Sequence, residues 1–202
     1  MTLAQELDQL IPQGESRKFG ELVLSRSDAG TFTAMHRTDA MMNGSLESLD
    51  SIQSASELRE LSRHDTEGNY RPLKTAPTLI HGWQTSSDCA EEFLSRLDAI
   101  YPAVFATWVE YQKGTAPPVP LQETLSRQSG IYKNASGITD QNANQIMRDT
   151  CSLGCIRKIA WPINDHCTVS KLKALPREIP VVCVEACSLA ISEAASLANG
   201  SD

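Results

Sequence analysis

Six cysteines occur in this sequence, and four of them form two pairs with the same spacing. The first pair is Cys151 and Cys155, in Cys-Ser-Leu-Gly-Cys, and the second is Cys183 and Cys187, in Cys-Val-Glu-Ala-Cys. Four residues make about one helical turn, so each pair can direct two thiols at one point from a helix or a tight turn. Two such pairs supply a four-thiolate ligand set for a metal centre.

The 27 residues between the two pairs allow different structural elements to carry them. A four-iron cluster needs one thiolate per iron from four directions, which two separated pairs can provide. Gly154 permits close backbone approach to sulfur. Apolar neighbours of both pairs can keep the site dry; they are Ile156, Ile159, Trp161, Val182 and Val184. The sequence therefore favours a 4Fe-4S cluster on Cys151, Cys155, Cys183 and Cys187.

Two other readings of the cysteines stay open. Zinc also accepts four thiolates, although zinc ribbons usually separate the cysteines of a pair by two residues and place turn glycines after them. Alternatively the thiols carry no ligand, and Cys183 is a core residue of an apolar strand. Cys89 and Cys167 are interpreted as structural, because a free cysteine is commonly buried as a small hydrophobe.

Composition limits the classes of protein to consider. The chain has 202 residues, 41% hydrophobic and 21% charged, which suits one compact domain or two small lobes. A net charge of -7 argues against a general surface for nucleic acids or anionic membranes. The first residues lack a signal peptide's basic start and apolar stretch, and no segment is long enough to span a bilayer. We expect a soluble, cytoplasmic protein whose thiols stay reduced.

The elements that position the cysteines are predicted to form an α+β fold. Gly20 to Arg26 and Thr31 to Arg37 alternate in polarity around a turn at Ser27–Gly30, which predicts an N-terminal β-hairpin. The weakly periodic segment 38–56 is predicted to be a surface loop. A short helix at 57–64 and then a loop and strand, ending at Trp83, are expected to follow.

The central part of the chain carries the clearest helical pattern. Apolar residues recur at intervals of three and four from Phe93 to Trp108, and the segment Ser86 to Asp88 offers N-caps before them. Pro102 is expected to kink or divide this amphipathic helix, and Gly114 is expected to end it.

The proline-rich segment 115–120 predicts a boundary between an N-terminal α+β lobe, 1–114, and a helix-rich cysteine lobe, 115–202. One continuous domain is the alternative. Within the cysteine lobe we predict helices, a short buried strand and a final helix; the helices span 121–127 and 139–151, the strand 179–184 and the final helix 186–198.

From about Glu57 to its end, the chain resembles the iron-sulfur cluster-binding "stabilising" domain associated with CbiX-type sirohydrochlorin chelatases. Four features carry the resemblance besides the cysteine pairs; they are Tyr70-Arg-Pro-Leu-Lys-Thr-Ala-Pro77, Trp83, Arg127-Gln-Ser-Gly130 within Leu121 to Tyr132, and Trp161-Pro162. The resemblance implies a 4Fe-4S cluster on the four paired cysteines. It also implies a role associated with the insertion of a metal into a tetrapyrrole during sirohaem or cobalamin synthesis.

A chelatase domain of that class would need its own α/β unit and a His-Gly-Ser/Thr motif, whereas this chain has His81-Gly82-Trp83. The resemblance therefore implies an accessory or redox module that acts with a separate chelatase or redox protein, and is not catalytic alone. Two alternatives are a zinc-stapled interaction domain and a tetrapyrrole-binding enzyme or chaperone. The latter would hold substrate carboxylates through Arg71, Lys74 and Arg127, since guanidinium groups suit carboxylates.

Overall fold

The computed structural model describes residues 1–42, 49–64, 67–69, 79–115, 142, 145–146, 157–159, 177–183 and 188–199. Its helices are α1 (Leu3–Leu10), α2 (Arg37–Met41), α3 (Ala55–Leu61), α4 (Ala90–Ile100), α5 (Val104–Lys113) and α6 (Ser188–Asn199). Its strands are β1 (Ser16–Phe19), β2 (Leu22–Arg26), β3 (Phe32–His36), β4 (Asp50–Ser51), β5 (Trp83–Ser87), β6 (Arg157–Ile159), β7 (Glu178–Ile179) and β8 (Val181–Cys183). The predicted α+β class is confirmed.

Six of the strands form one mixed sheet in the order β4-β5-β3-β2-β1-β7. The four inner strands pair antiparallel, and the two-residue strands β4 and β7 join its edges in parallel. The strands β6 and β8 form a second, two-stranded parallel sheet. The last part of the chain therefore contributes a strand to a sheet that begins near its first residues.

The predicted hairpin is confirmed by β2 and β3, which pair from Leu22 opposite His36 to Arg26 opposite Phe32. The Gly30 N–H donates to the Ser27 carbonyl at 2.9 Å, which closes the turn. Apolar residues on alternate positions of both strands are buried, as a sheet with one covered face requires.

The amphipathic helix is divided at Pro102 into α4 and α5, as predicted, and Gly114 ends α5 in the left-handed conformation at φ 70°. The predicted N-caps are wrong, because α4 begins after Cys89, whose side chain makes no capping hydrogen bond. The segment 86–87 instead extends β5. The Ser87 hydroxyl accepts from the Cys89 N–H at 3.1 Å, just outside the helix.

Several other expectations need correction. The residues before the hairpin, for which no element was predicted, form α1, and a capping box between Thr2 and Gln5 closes its first turn. The segment 38–56 is not a continuous loop, because its described part contains most of α2, all of β4 and the start of α3. The strand expected to end at Trp83 begins there. Of the helix predicted at 139–151, residues 142, 145 and 146 are described and helical; the helix at 121–127 lies outside the described residues.

Aromatic side chains join the sheet to the helices. Phe19 meets Tyr101 edge-to-face at a centroid distance of 5.2 Å and Phe105 at 6.5 Å, while Phe32 stacks on Phe93 at 5.3 Å. The helices α1, α4 and α5 pack on one another, and α5 also packs against β8. The core is thus continuous from the hairpin to the strand that carries Cys183.

Among the described residues, no helix combines the length and apolar character needed to cross a membrane.

Candidate functional site

The β6–β8 ladder brings together two segments adjoining the cysteine pairs. Its register places Arg157 opposite Val181 and Ile159 opposite Cys183. In the sequence, β6 begins two residues after Cys155, and β8 ends on Cys183 itself. The chain that follows the first cysteine pair is therefore held beside the strand that carries the first cysteine of the second pair.

The four predicted ligands are only partly described. Cys183 has a described backbone as the last residue of β8, and α6 begins immediately after Cys187. Cys151, Cys155 and Cys187 lie outside the described residues, as does the side chain of Cys183. The convergence of the four thiols therefore stays a prediction.

The predicted strand 179–184 is divided into β7 and β8 at Pro180, a residue that has no N–H to offer a ladder. Before this proline, β7 pairs with β1 of the large sheet, with Ile179 opposite Phe19. After it, the chain leaves that sheet and pairs with β6. Cys183 therefore follows closely on a strand of the main fold.

The surroundings of β8 exclude water. Val181 and Val182 are both almost completely buried, although adjacent residues of a strand point to opposite faces. They belong to the same apolar cluster as Trp108, Val109 and Tyr111 of α5. A hydrophobic shell of this kind limits solvent access to a metal centre and sets the local dielectric constant.

One polar group in this cluster makes no polar contact among the described residues. The indole Nε1 of Trp108 is buried and has no hydrogen-bond acceptor. Buried polar atoms are nearly always paired in native structures, so an unpaired donor is an unusual feature. Trp108 belongs to α5, a helix that packs against β8 as well as against α1 and α4.

The remaining cysteines and histidines gather no metal-ligand set within the described part of the chain. Cys89 is exposed, contrary to the expected burial, because it precedes α4 at the surface, where its thiol donates to Glu91 at 3.4 Å. His81 lies 3.4 Å from the Asp39 carboxylate. Cys167 falls outside the described residues, as do the proposed carboxylate-binding residues Arg71, Lys74 and Arg127.

A buried arginine was missed by the sequence analysis. Arg96 lies in α4, and its guanidinium donates to the Gln53 side chain, the Thr85 hydroxyl, the Ser86 carbonyl and the Glu92 carboxylate. The Ser86 carbonyl belongs to β5, so Arg96 links the helix to one of the four inner strands of the sheet. In the sequence Arg96 lies among apolar residues at helical spacing, and this position could have indicated that its side chain is buried.

Two protein-family models and a solved structure are similar to this chain. Residues 4–112 match the DR2241 stabilising domain family, and residues 113–196 match a 4Fe-4S iron-sulfur cluster binding domain. No curated protein matches. Among solved structures, DR2241 from Deinococcus radiodurans is similar, with a TM-score of 0.71 and 21% identity over 92% of this chain.

That protein is described as multi-domain, with structural similarity to chelatases and with two additional novel domains. At this identity the likeness shows the fold, and our chain spans 39% of the DR2241 chain. The region that resembles the cluster-binding domain contains all four paired cysteines. The C-terminal part, residues 113–196, is similar to a 4Fe-4S cluster binding domain. Because the first family match covers more than half of the sequence, the chain belongs to the DR2241 stabilising domain family.

Proposed function

We propose that this chain binds one 4Fe-4S cluster through Cys151, Cys155, Cys183 and Cys187. The observation that carries the proposal is the match of residues 113–196 to a 4Fe-4S binding domain, since that region contains both cysteine pairs. An all-cysteine donor set suits iron-sulfur chemistry. When bound, such a cluster supplies one-electron transfer and a cross-link between distant parts of the chain.

The fold supports this assignment in two ways. The β6–β8 ladder aligns the segment after Cys155 with the strand that ends on Cys183. Burial of Val181 and Val182 keeps that strand dry, as a cluster with controlled solvent access requires. Zinc would use the same four thiolates, so analysis of the bound metal is needed to distinguish a zinc site from an iron-sulfur cluster.

We further propose that the module is not catalytic alone and serves a chelatase that acts on a tetrapyrrole, or a redox partner of such an enzyme. The support is the fold shared with part of DR2241, a protein whose structure is similar to chelatases. This chain spans 39% of DR2241, and we propose that the chelatase activity lies outside the 202 residues of this chain.

The cluster is tested by elemental analysis of the full chain after anaerobic reconstitution with iron and sulfide. We expect about four irons and about four sulfides per wild-type chain, with broad visible absorption. Cys155→Ala should lose most of both, whereas Cys89→Ala, the matched control at an exposed cysteine, should bind as the wild type does. Zinc without sulfide in the wild type, or full loading of Cys155→Ala, would contradict the proposal.

The partner is tested separately. Cluster-loaded chain mixed with a purified CbiX-type chelatase should form a complex in sedimentation velocity and change the rate of metal insertion into sirohydrochlorin. The cluster-free Cys155→Ala chain serves as control. Absence of both a complex and a rate change removes the chelatase assignment and leaves the cluster assignment standing.

A further inference from the structure

The indole of Trp108 is a buried donor in need of an acceptor. Its side chain is 8% exposed, and Nε1 makes no hydrogen bond. Two other buried atoms of the described residues also lack hydrogen bonds, but both belong to charged groups with partners. Glu6 Oε1 lies 2.8 Å from Lys113 Nζ, and the unpaired Nε of Arg96 belongs to a guanidinium that donates through its other nitrogens.

The known neighbours of Trp108 offer this donor no acceptor. Its ring lies 6.2 Å from that of Phe105, and the cluster to which it belongs is apolar. A buried N–H without an acceptor destabilises the folded state, a penalty that phenylalanine at this position would avoid. An indole here is therefore best explained by an acceptor that belongs to the functional state.

The helix α5 that carries this donor lies beside a strand that carries one of the predicted cluster ligands. Trp108 lies in the middle of α5, and α5 packs against β8, the strand that ends on Cys183. Val181 and Val182 of β8 share a hydrophobic cluster with Trp108. Thiolate and sulfide sulfurs of iron-sulfur clusters accept N–H hydrogen bonds, and such bonds are one of the means by which a protein sets the reduction potential.

We propose that the Trp108 indole N–H donates a hydrogen bond to a sulfur of the cluster site that includes Cys183. This inference rests on the proposed function. A hydrogen bond to sulfur favours the more negative, reduced state, so Trp108 raises the reduction potential. Trp108 lies within the region 4–112 and the cysteines within 113–196, so a residue of one family domain would tune the centre held by the other.

The test is the reduction potential of Trp108→Phe in the full chain, reconstituted anaerobically and titrated spectroelectrochemically. Trp83→Phe is the matched control, because the Trp83 indole already donates to the Ile80 carbonyl at 2.6 Å. We expect Trp108→Phe to keep wild-type iron and sulfide and to show an about tenfold lower ratio of reduced to oxidised cluster at a fixed potential. For one electron this is a shift of about 59 mV to more negative values. Trp83→Phe should show no shift.

Each outcome bears on a distinct claim. A wild-type chain that takes up no cluster defeats the proposed function and the inference together. Normal loading and a wild-type potential in Trp108→Phe overturn the inference alone. If that variant fails to load, the indole ¹H–¹⁵N resonance of Trp108 in the ¹⁵N-labelled wild-type chain decides instead: a hyperfine shift on cluster loading supports the hydrogen bond, and an unshifted resonance overturns it.

Discussion

The hydroxyl of Tyr101 accepts a hydrogen bond from the backbone N–H of Glu21 at 3.0 Å, across 80 positions of sequence. Glu21 lies in the turn between β1 and β2, and Tyr101 lies where α4 ends. The Glu21 carboxylate also accepts from the Leu79 N–H at 2.9 Å. These two buried contacts fix the first turn of the sheet against both the helix break and the chain entering β5.

Tyr101→Phe should lower the free energy of unfolding by roughly 1–3 kcal/mol, because it leaves the buried Glu21 N–H without this acceptor. The aromatic contact with Phe19 is kept, so the loss reports on the hydroxyl alone. Urea denaturation followed by circular dichroism measures it. A midpoint equal to that of the wild type would show that the hydrogen bond contributes nothing.

Arg96→Lys should cost roughly 1–3 kcal/mol of stability, because an ammonium cannot reproduce the guanidinium's several hydrogen bonds, including that to the Ser86 carbonyl. The matched control is Arg63→Lys at an exposed ion pair with Glu60, where the change should be near zero. Thermal unfolding of the two variants gives the comparison. Equal losses in both would contradict a special role for the buried arginine.

Glu92 makes the same region sensitive to acid. The Ser87 hydroxyl, 2.6 Å away, and the Arg96 guanidinium hold the pKa of Glu92 below its ordinary value. A lowered folded-state pKa stabilises the fold above the unfolded pKa, and the gain is lost as pH falls through the folded pKa. Glu92→Gln should therefore be less stable than the wild type at neutral pH, and the difference should shrink below the ordinary range of glutamate. A pH-independent difference in denaturation midpoints would contradict this.

Removing the cluster should increase amide hydrogen exchange in β6 and β8, because a metal centre that binds only the folded state stabilises the elements that hold it. Exchange in the β2–β3 hairpin should change much less. Mass spectrometry of the loaded and the apo chain measures both regions. Equal protection of β8 in the two forms would indicate that the ladder does not depend on the centre.

Local sequence signals predicted part of the fold. The hairpin followed from alternating polarity around Ser27–Gly30, and the break between α4 and α5 from Pro102, a residue that has no N–H. The N-caps predicted at 86–88 were wrong because Ser86 and Ser87 pair with β3 as part of β5. The capping box formed by Thr2 and Gln5 was a local signal in the sequence for the start of α1.

Long-range contacts were beyond the reach of the sequence. The parallel pairing of β1 with β7 joins residues about 160 positions apart, and no spacing rule predicts it. The contacts of buried Arg96 likewise depend on partners from two other segments, namely β5 and the segment that contains Gln53. The cysteine pairs could be recognised because residue type and spacing alone indicate a ligand set. The convergence of the four thiols and the domain division at 114/115 stay predictions.

The pairing of β1 with β7 has a practical consequence for dissecting the protein. A fragment ending at Gly114 would keep β1 but lose Glu178 and Ile179, which cover its outer side. Uncovered strand edges recruit other chains, so that fragment should self-associate instead of behaving as a monomer. Studies of the isolated N-terminal region would need a grafted edge strand or a charged substitution on β1 to remain in solution.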